Sequence, residues 1–283
     1  MYTRAYAFGG LGLTLRAPAP MDEPPMLRPF ARQVPPPGWT VECSFGEDLP
    51  APAAPPREDG PWRTVWLGED GTETRVLRYQ REGRPWACCA WERRGRAVSM
   101  RWKPEFWDKL DAWQMIDVLE LPHLLLEEGG AILHASYVLW QGRAILFSGP
   151  SGIGKSTQAA LWGRFRGALT VNGDRALVRA GEDGRFFAHG VCFSGTSGIC
   201  LDRSAPLAAV VLLAQSGETR ARPAGGVEAL RTLLAQTSYR RENPGDLPHA
   251  VDILSRLAAS VPVYRLECRP DLSAVETLED LIL

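Results

Sequence analysis

The chain is 283 residues long, 45% hydrophobic and 23% charged, with a formal net charge of −1. These values are ordinary for a globular protein and give no global electrostatic pull toward nucleic acid or an anionic membrane. The length allows a large core and two domains. No apolar run reaches the roughly 20 residues that span a bilayer. The opening MYTRAYAFGGLGL lacks the apolar core of a signal peptide, so a cytoplasmic chain is the expectation.

Up to about residue 60 periodicity is weak and proline frequent. APAPMDEPPMLRPF and EDLPAPAAPPREDG read as irregular loops, with WTVECSF (39–45) as a strand between them. From Trp62 the pattern sharpens. WRTVWL, TRVLRYQ, PWACCAWE and AVSMRW are short runs separated by GEDGTE, REGR and RRGR, which predicts an antiparallel meander. The six cysteines (Cys43, Cys88, Cys89, Cys192, Cys200 and Cys268) form no C-x-x-C pair. They read as small buried apolar residues in a reducing compartment. Most of the ten tryptophans precede residue 115, which fits an aromatic core or a peptide groove.

Phe106, Leu110, Trp113, Ile116 and Leu119 recur at helical spacing. Pro122 breaks or kinks that helix and Gly129-Gly130 end it. A hairpin follows, LHASYVLW (133–140) and AILFS (144–148). A helix over 155–165 comes next, with Gly167 as its stop. ALTVNGDRALVRA and RFFAHGVCFS are strands about the turn GEDG, and GTSGICLDRS is a polar loop. APLAAVVLLAQ is a buried strand. Amphipathic helices over 227–239 and 247–261, a strand over 262–270 and a closing helix complete the chain. The fold expected is α/β. Residues 1–103 form an antiparallel β-rich domain and 104–283 a core with a mixed sheet.

Gly149-Pro150-Ser151-Gly152-Ile153-Gly154-Lys155-Ser156 matches G-x-x-x-x-G-K-[ST] in full, with a strand before and a helix after. Such a loop turns its backbone N–H groups onto phosphate oxygens, and the helix N-terminus adds partial positive charge. Gly149 through Thr157 are therefore the candidate nucleotide-binding residues. Lys155 would neutralise the β- and γ-phosphates, and the Ser156 hydroxyl would bind Mg²⁺. A second acid is needed near the metal. Asp174, just after the next helix and strand, is the candidate to hold the metal or its water, against the alternative of a solvated turn residue. AAVVLLAQ ends in Gln215 rather than an acid, which counts against a motor or switch ATPase. His134, in the strand ahead of the loop, is either catalytic or a hydrogen-bonded structural histidine.

The run 133–178 resembles the HPr kinase/phosphorylase family and, more distantly, the ATP-dependent phosphoenolpyruvate carboxykinases. It is similar also to shorter HPr-kinase-like proteins found beside peptide-modifying enzymes, some of which phosphorylate serine in a ribosomally made peptide such as a lasso peptide, and the early YAFGGLGLTL is similar to their opening. The resemblance implies ATP, Mg²⁺ and transfer to a serine hydroxyl of a peptide or protein, with His134, the loop and Asp174 at matching places. The family's acidic pair is Gly173-Asp174 here. Asp174 matches the metal-side acid, so proton removal falls to Asp174 itself, to His134, or to positioning alone. His189 is a structural strand histidine or a further functional group, and Ser194, Thr196 and Ser197 are candidates to meet phosphate or substrate. Arg240 and Arg241 are a solvated helix end or a source of a charge-neutralising arginine. A metabolite kinase and a nucleotide-binding scaffold are the alternatives. The N-terminal domain is expected to hold the acceptor, and a homo-oligomer is compatible with the family's hexamers.

Overall fold

The structure is a computed structural model that describes residues 1–240, 243 and 245–282. The chain divides into two compact units, Met1–Leu121 and Pro122–Leu283. The first unit is built on a nine-stranded sheet. Its strands are β1 (Tyr2–Phe8), β2 (Leu11–Ala17), β3 (Ala31–Arg32), β4 (Gly38–Phe45), β5 (Glu58–Asp59), β6 (Arg63–Leu67), β7 (Glu73–Arg81), β8 (Arg84–Arg94) and β9 (Ala97–Trp102). They lie in the order β3-β1-β2-β4-β9-β8-β7-β6-β5. The meander β6 to β9 is antiparallel as its turns predict.

The sheet as a whole is mixed rather than antiparallel, because β4 runs parallel to both β2 and β9. Residues 2–17, within the stretch of weak periodicity, form a hairpin. Its turn is Gly9-Gly10 at φ 57° and 84°, the conformation a tight hairpin demands. Tyr6, Phe8, Leu13 and Leu15 from it are buried.

The helical pattern over 106–128 does not form one helix. It gives a 3-10 turn (Pro104–Phe106), α1 (Ala112–Val118) and α2 (Leu121–Glu127). The break falls at Glu120, whose φ of 54° is unusual for a residue with a side chain. Pro122 then sits in the first turn of α2, where a missing N–H costs nothing. Residues 104–121 belong with the first unit. Trp91 Nε1 donates to Val118 O (2.9 Å), and Arg63 Nη1 donates to Glu120 Oε1 (2.8 Å).

The second unit contains β10 (Gly130–Trp140), β11 (Arg143–Ser148), α3 (Lys155–Arg166), β12 (Leu169–Asn172), β13 (Arg175–Ala180) and β14 (Phe186–His189). They are followed by β15 (Ser204–Gln215), β16 (Arg220–Pro223), α4 (Gly226–Ala235), α5 (Asp246–Ser260), β17 (Val263–Cys268) and α6 (Leu272–Ile282). The sheet is mixed: β10 and β11 form the expected antiparallel hairpin, while β11, β15 and β17 run parallel. The long β10 changes partner along its length, with β13 beside Gly130–His134 and β12 beside Tyr137–Leu139.

Alternation along the strands makes two cores. Ile145, Phe147, Val211 and Leu213 pack with Trp162 of α3 and Val275 and Leu278 of α6. Leu146, Val210 and Leu212 pack with Leu233 of α4 and Ile253 and Leu257 of α5. Helices therefore cover both faces of β11 and β15, which fixes the end of β11 where the glycine loop begins. Among the described residues, no helix is long and apolar enough to cross a membrane. None of the six cysteines is in a disulfide. Burial pushes the Cys88 thiol up to about 11, which keeps it protonated and inert.

Candidate functional site

β11 ends at Ser148 and hands the chain to the loop 149–154, which opens α3. Gly152 (φ 77°) and Gly154 (φ 113°) hold the left-handed geometry that lets the loop curl. Gly154 is also the N-cap of α3, and no side chain caps the helix. The first N–H groups of α3 thus have no side-chain acceptor, the condition under which a helix start receives an anion. Lys155 is buried at 7% exposure. Its Nζ donates to Gly149 O and Pro150 O, each at 3.1 Å. No carboxylate pairs with it among the described residues. Burial draws this ammonium below the ordinary lysine range, with Arg175 adding to the effect and Asp174 opposing it. A positive charge held only by neutral carbonyls in a desolvated loop is matched to a phosphate.

Opposite the loop, a tight turn joins β12 to β13 and carries Gly173 and Asp174. The turn is fixed by Asn172, which is fully buried. Its Oδ1 accepts from the N–H of Asp174 and of Arg175, both at 2.9 Å. Its Nδ2 donates to Val191 O (2.8 Å) and Phe193 O (3.1 Å). From β10, Ser136 Oγ donates to Gly173 O and the Ala135 N–H to Asp174 O, each at 2.9 Å. The Asp174 carboxylate meets His134 Nε2 at 3.2 Å through one oxygen and Arg175 Nε at 3.1 Å through the other. Asp174 comes to the site across β10 and not from a strand beside β11, because the neighbours of β11 are β10 and β15.

His134 is oriented from behind by the segment after α4. Its N–H donates to Gln236 O (2.7 Å), and its Nδ1 lies 3.2 Å from Gln236 Oε1. Burial lowers its pKa, and Lys155 and Arg175 add to this, against opposition from Asp174 and Gln236. The neutral ring is therefore favoured near neutral pH, where it can accept a proton.

These groups share one cavity of about 280 Å³, lined by His134, Ser151, Gly152, Gly154, Lys155, Ser156, Thr157, Gly173, Asp174, Thr196 and Ser197. Of the remaining predicted loop residues, Gly149 and Pro150 supply the carbonyls that hold Lys155. Ile153 packs on the α3 core. Gln215, at the end of β15, donates from Nε2 to Gly152 O at 3.3 Å, so it braces the loop as an amide.

The position of the absent acid has a physical explanation. A Cβ built on Gly173 would lie 2.3 Å from Ser197 Oγ, so the turn 194–198 fills the space a side chain there needs. His189 lies outside the cavity. It bonds Ser204 Oγ through Nδ1 (2.7 Å), and burial depresses its pKa to about 4. Arg240 also does not line the cavity; its N–H donates to Asp246 Oδ2 at 3.0 Å. Arg241 lies outside the described residues. Gln236, Asn172, Ser136 and Arg175 are supporting residues that spacing alone does not reveal. Only Arg175, adjacent to Asp174, carries a local signal.

Among the described residues no group of three or more His, Cys, Asp and Glu side chains forms a metal cluster. The Ser156 hydroxyl and the Asp174 carboxylate face the same cavity. That sparse oxygen set suits Mg²⁺, which keeps waters and takes phosphate oxygens. Asp174 would exchange a contact with His134 or Arg175 to serve it.

No family model and no curated protein matches the chain. Among solved structures, it is similar to the Hpr(Ser) kinase/phosphatase from Coxiella burnetii, at 13% identity and a TM-score of 0.32, over 53% of this chain and 89% of that one. A TM-score of that size carries no functional weight.

Proposed function

We propose that this chain is an ATP- and Mg²⁺-dependent kinase that transfers the γ-phosphoryl group to a hydroxyl, with serine of a peptide or protein as the acceptor class. One observation carries the reading. A His–Asp pair 3.2 Å apart lines the same cavity as a glycine loop with a buried, carboxylate-free lysine. The loop N–H groups and Lys155 hold the phosphates. Ser156 and Asp174 hold the metal, whose chemistry is charge neutralisation on the phosphate oxygens. The acceptor proton goes to Asp174 or to the neutral His134 ring. Phosphoryl transfer depends mainly on positioning and charge, so a single carboxylate is sufficient.

Labelled ATP, Mg²⁺ and candidate peptides, with free serine in parallel, test this. Transfer is expected to disappear in Lys155→Ala and Asp174→Ala; transfer that survives both sinks the assignment. Preference for free serine would move the acceptor class to a metabolite. A second reading, a nucleotide-binding scaffold, is favoured by the closure of Gly173 under Ser197. It predicts ATP binding by calorimetry and no turnover with any acceptor.

The first unit is assigned to acceptor binding, possible oligomerisation aside, on the strength of its exposed aromatics Trp62 (50% exposed), Trp107 (53%) and Tyr79 (43%). Trp107→Ala is expected to raise KM for a peptide acceptor and leave that for ATP unchanged. Six mostly buried cysteines with no disulfide among them fit a cytoplasmic site of action.

A further inference from the structure

The cavity holds hydroxyls beyond Ser156, and they are not equivalent. Ser197 is committed to its own turn: its Oγ donates to Ser194 O (2.7 Å) and accepts from the Ile199 N–H (3.2 Å). Ser151, Ser156 and Thr157 lie on the glycine loop and the first turn of α3, on the phosphate-holding side. Thr196 differs in its place. Like them it lines the cavity and is exposed, with no protein hydrogen bond to its hydroxyl among the described residues, but it lies on the turn beside Asp174. It sits on the 3-10 turn Gly195–Ser197, between Gly195 (φ 53°) and Gly198 (φ 66°). That turn lies against the catalytic carboxylate: a Cβ on Gly195 would be 2.7 Å from Asp174 Cγ. A free secondary hydroxyl, one residue from the atoms that touch Asp174, is thus presented on the side of the cavity across from the glycine loop.

We propose that Thr196 is an acceptor in cis, a self-phosphorylation site on the turn 194–198. This rests on the kinase reading above. In the step, Thr196 Oγ1 bonds to the γ-phosphorus and the bond from that phosphorus to the β–γ bridging oxygen breaks. ADP leaves with the electron pair, and the hydroxyl proton passes to Asp174 and then to solvent. The phosphothreonine formed carries about two negative charges at neutral pH. It would stand beside Asp174 and compete with a second nucleotide for Lys155, so modification is expected to slow transfer to an added acceptor at least about tenfold.

The experiment uses the full chain with MgATP and no added acceptor. The tryptic peptide 186–203, which contains Ser194, Thr196 and Ser197, is read by mass spectrometry. One phosphoryl group is expected, placed by fragment ions on Thr196 rather than Ser194 or Ser197, and lost in Thr196→Val and Lys155→Ala. The rate constant should not change with protein concentration. Phosphate that persists on this peptide in Thr196→Val, or a rate that rises with protein concentration, overturns the proposal. Transfer to an added acceptor with Thr196 left unmodified overturns the proposal and leaves the kinase reading standing; ATP binding with no transfer to Thr196 or to any added acceptor overturns the proposal and favours the scaffold reading. Absence of ATP binding overturns both.

Discussion

Each unit contains a cluster of charged side chains, and the two are built in opposite ways. In the first, Arg63 and Arg75 converge on Glu120, while Arg75 and Arg93 converge on Glu73. All of these except Arg93 are buried, Arg75 at 1% exposure. Glu58 also takes two hydrogen bonds from Arg63, at 2.9 and 3.1 Å, so three carboxylates answer three guanidiniums and the network is closed. In the second, Asp174, His134 and Arg175 keep 27%, 21% and 32% of their side chains exposed, and the nearby Lys155 has only carbonyls. Charge in the first unit is spent on holding β6, β7, β8 and the break after α1 together. Charge in the second is left turned toward a cavity. Density of charge therefore does not mark a site; incomplete compensation beside an opening does.

The largest expected effect tests the closed network. Glu120→Ala leaves two buried guanidiniums short of a partner and should cost about 3–5 kcal/mol in urea unfolding. A loss below about 1 kcal/mol would mean that the network is not structural. Lys155→Met addresses the open cluster from the other side. The variant sheds a desolvated ammonium, so its melting temperature should equal or exceed that of the parent. The parent should gain about 2.7 kcal/mol in MgATP at 100 times Kd, and the variant none; a variant that melts far lower would place Lys155 with the structural charges.

The filled space at Gly173 gives a third comparison. Gly173→Asp should cost about 1–3 kcal/mol through overpacking against Ser197. Adding Ser197→Gly should return most of it, and equal stability of the single and double variants would refute the packing account. The smallest effect concerns His189. Its folded pKa of about 4 is below the unfolded value, so it is neutral in the fold while the unfolded chain takes a proton. Stability is then unaffected above about pH 6.5 and falls between there and about 4, by on the order of 1–2 kcal/mol for a half-buried ring. His189→Gln should flatten that part of the stability curve relative to the parent.

Local sequence determined much of this protein. The glycine loop, its flanking strand and helix, the hairpin ahead of it and the meander over 62–102 all follow from short-range spacing and turn chemistry. The hairpin at 2–17 carried its own signal in Gly9-Gly10, although proline-rich flanks obscured it. Tertiary structure alone decided the rest. Parallel pairing of β4 with β2 and β9 depends on contacts far apart in sequence, as does the route of Asp174 across β10. Helical spacing over 106–128 cannot foresee that Glu120 turns left-handed to meet two buried arginines. Gln236 lies about a hundred positions from His134, and Ser197 is a loop residue until the fold sets it over Gly173. Periodicity reports which face of an element is buried; it carries no information on which distant polar group completes a site.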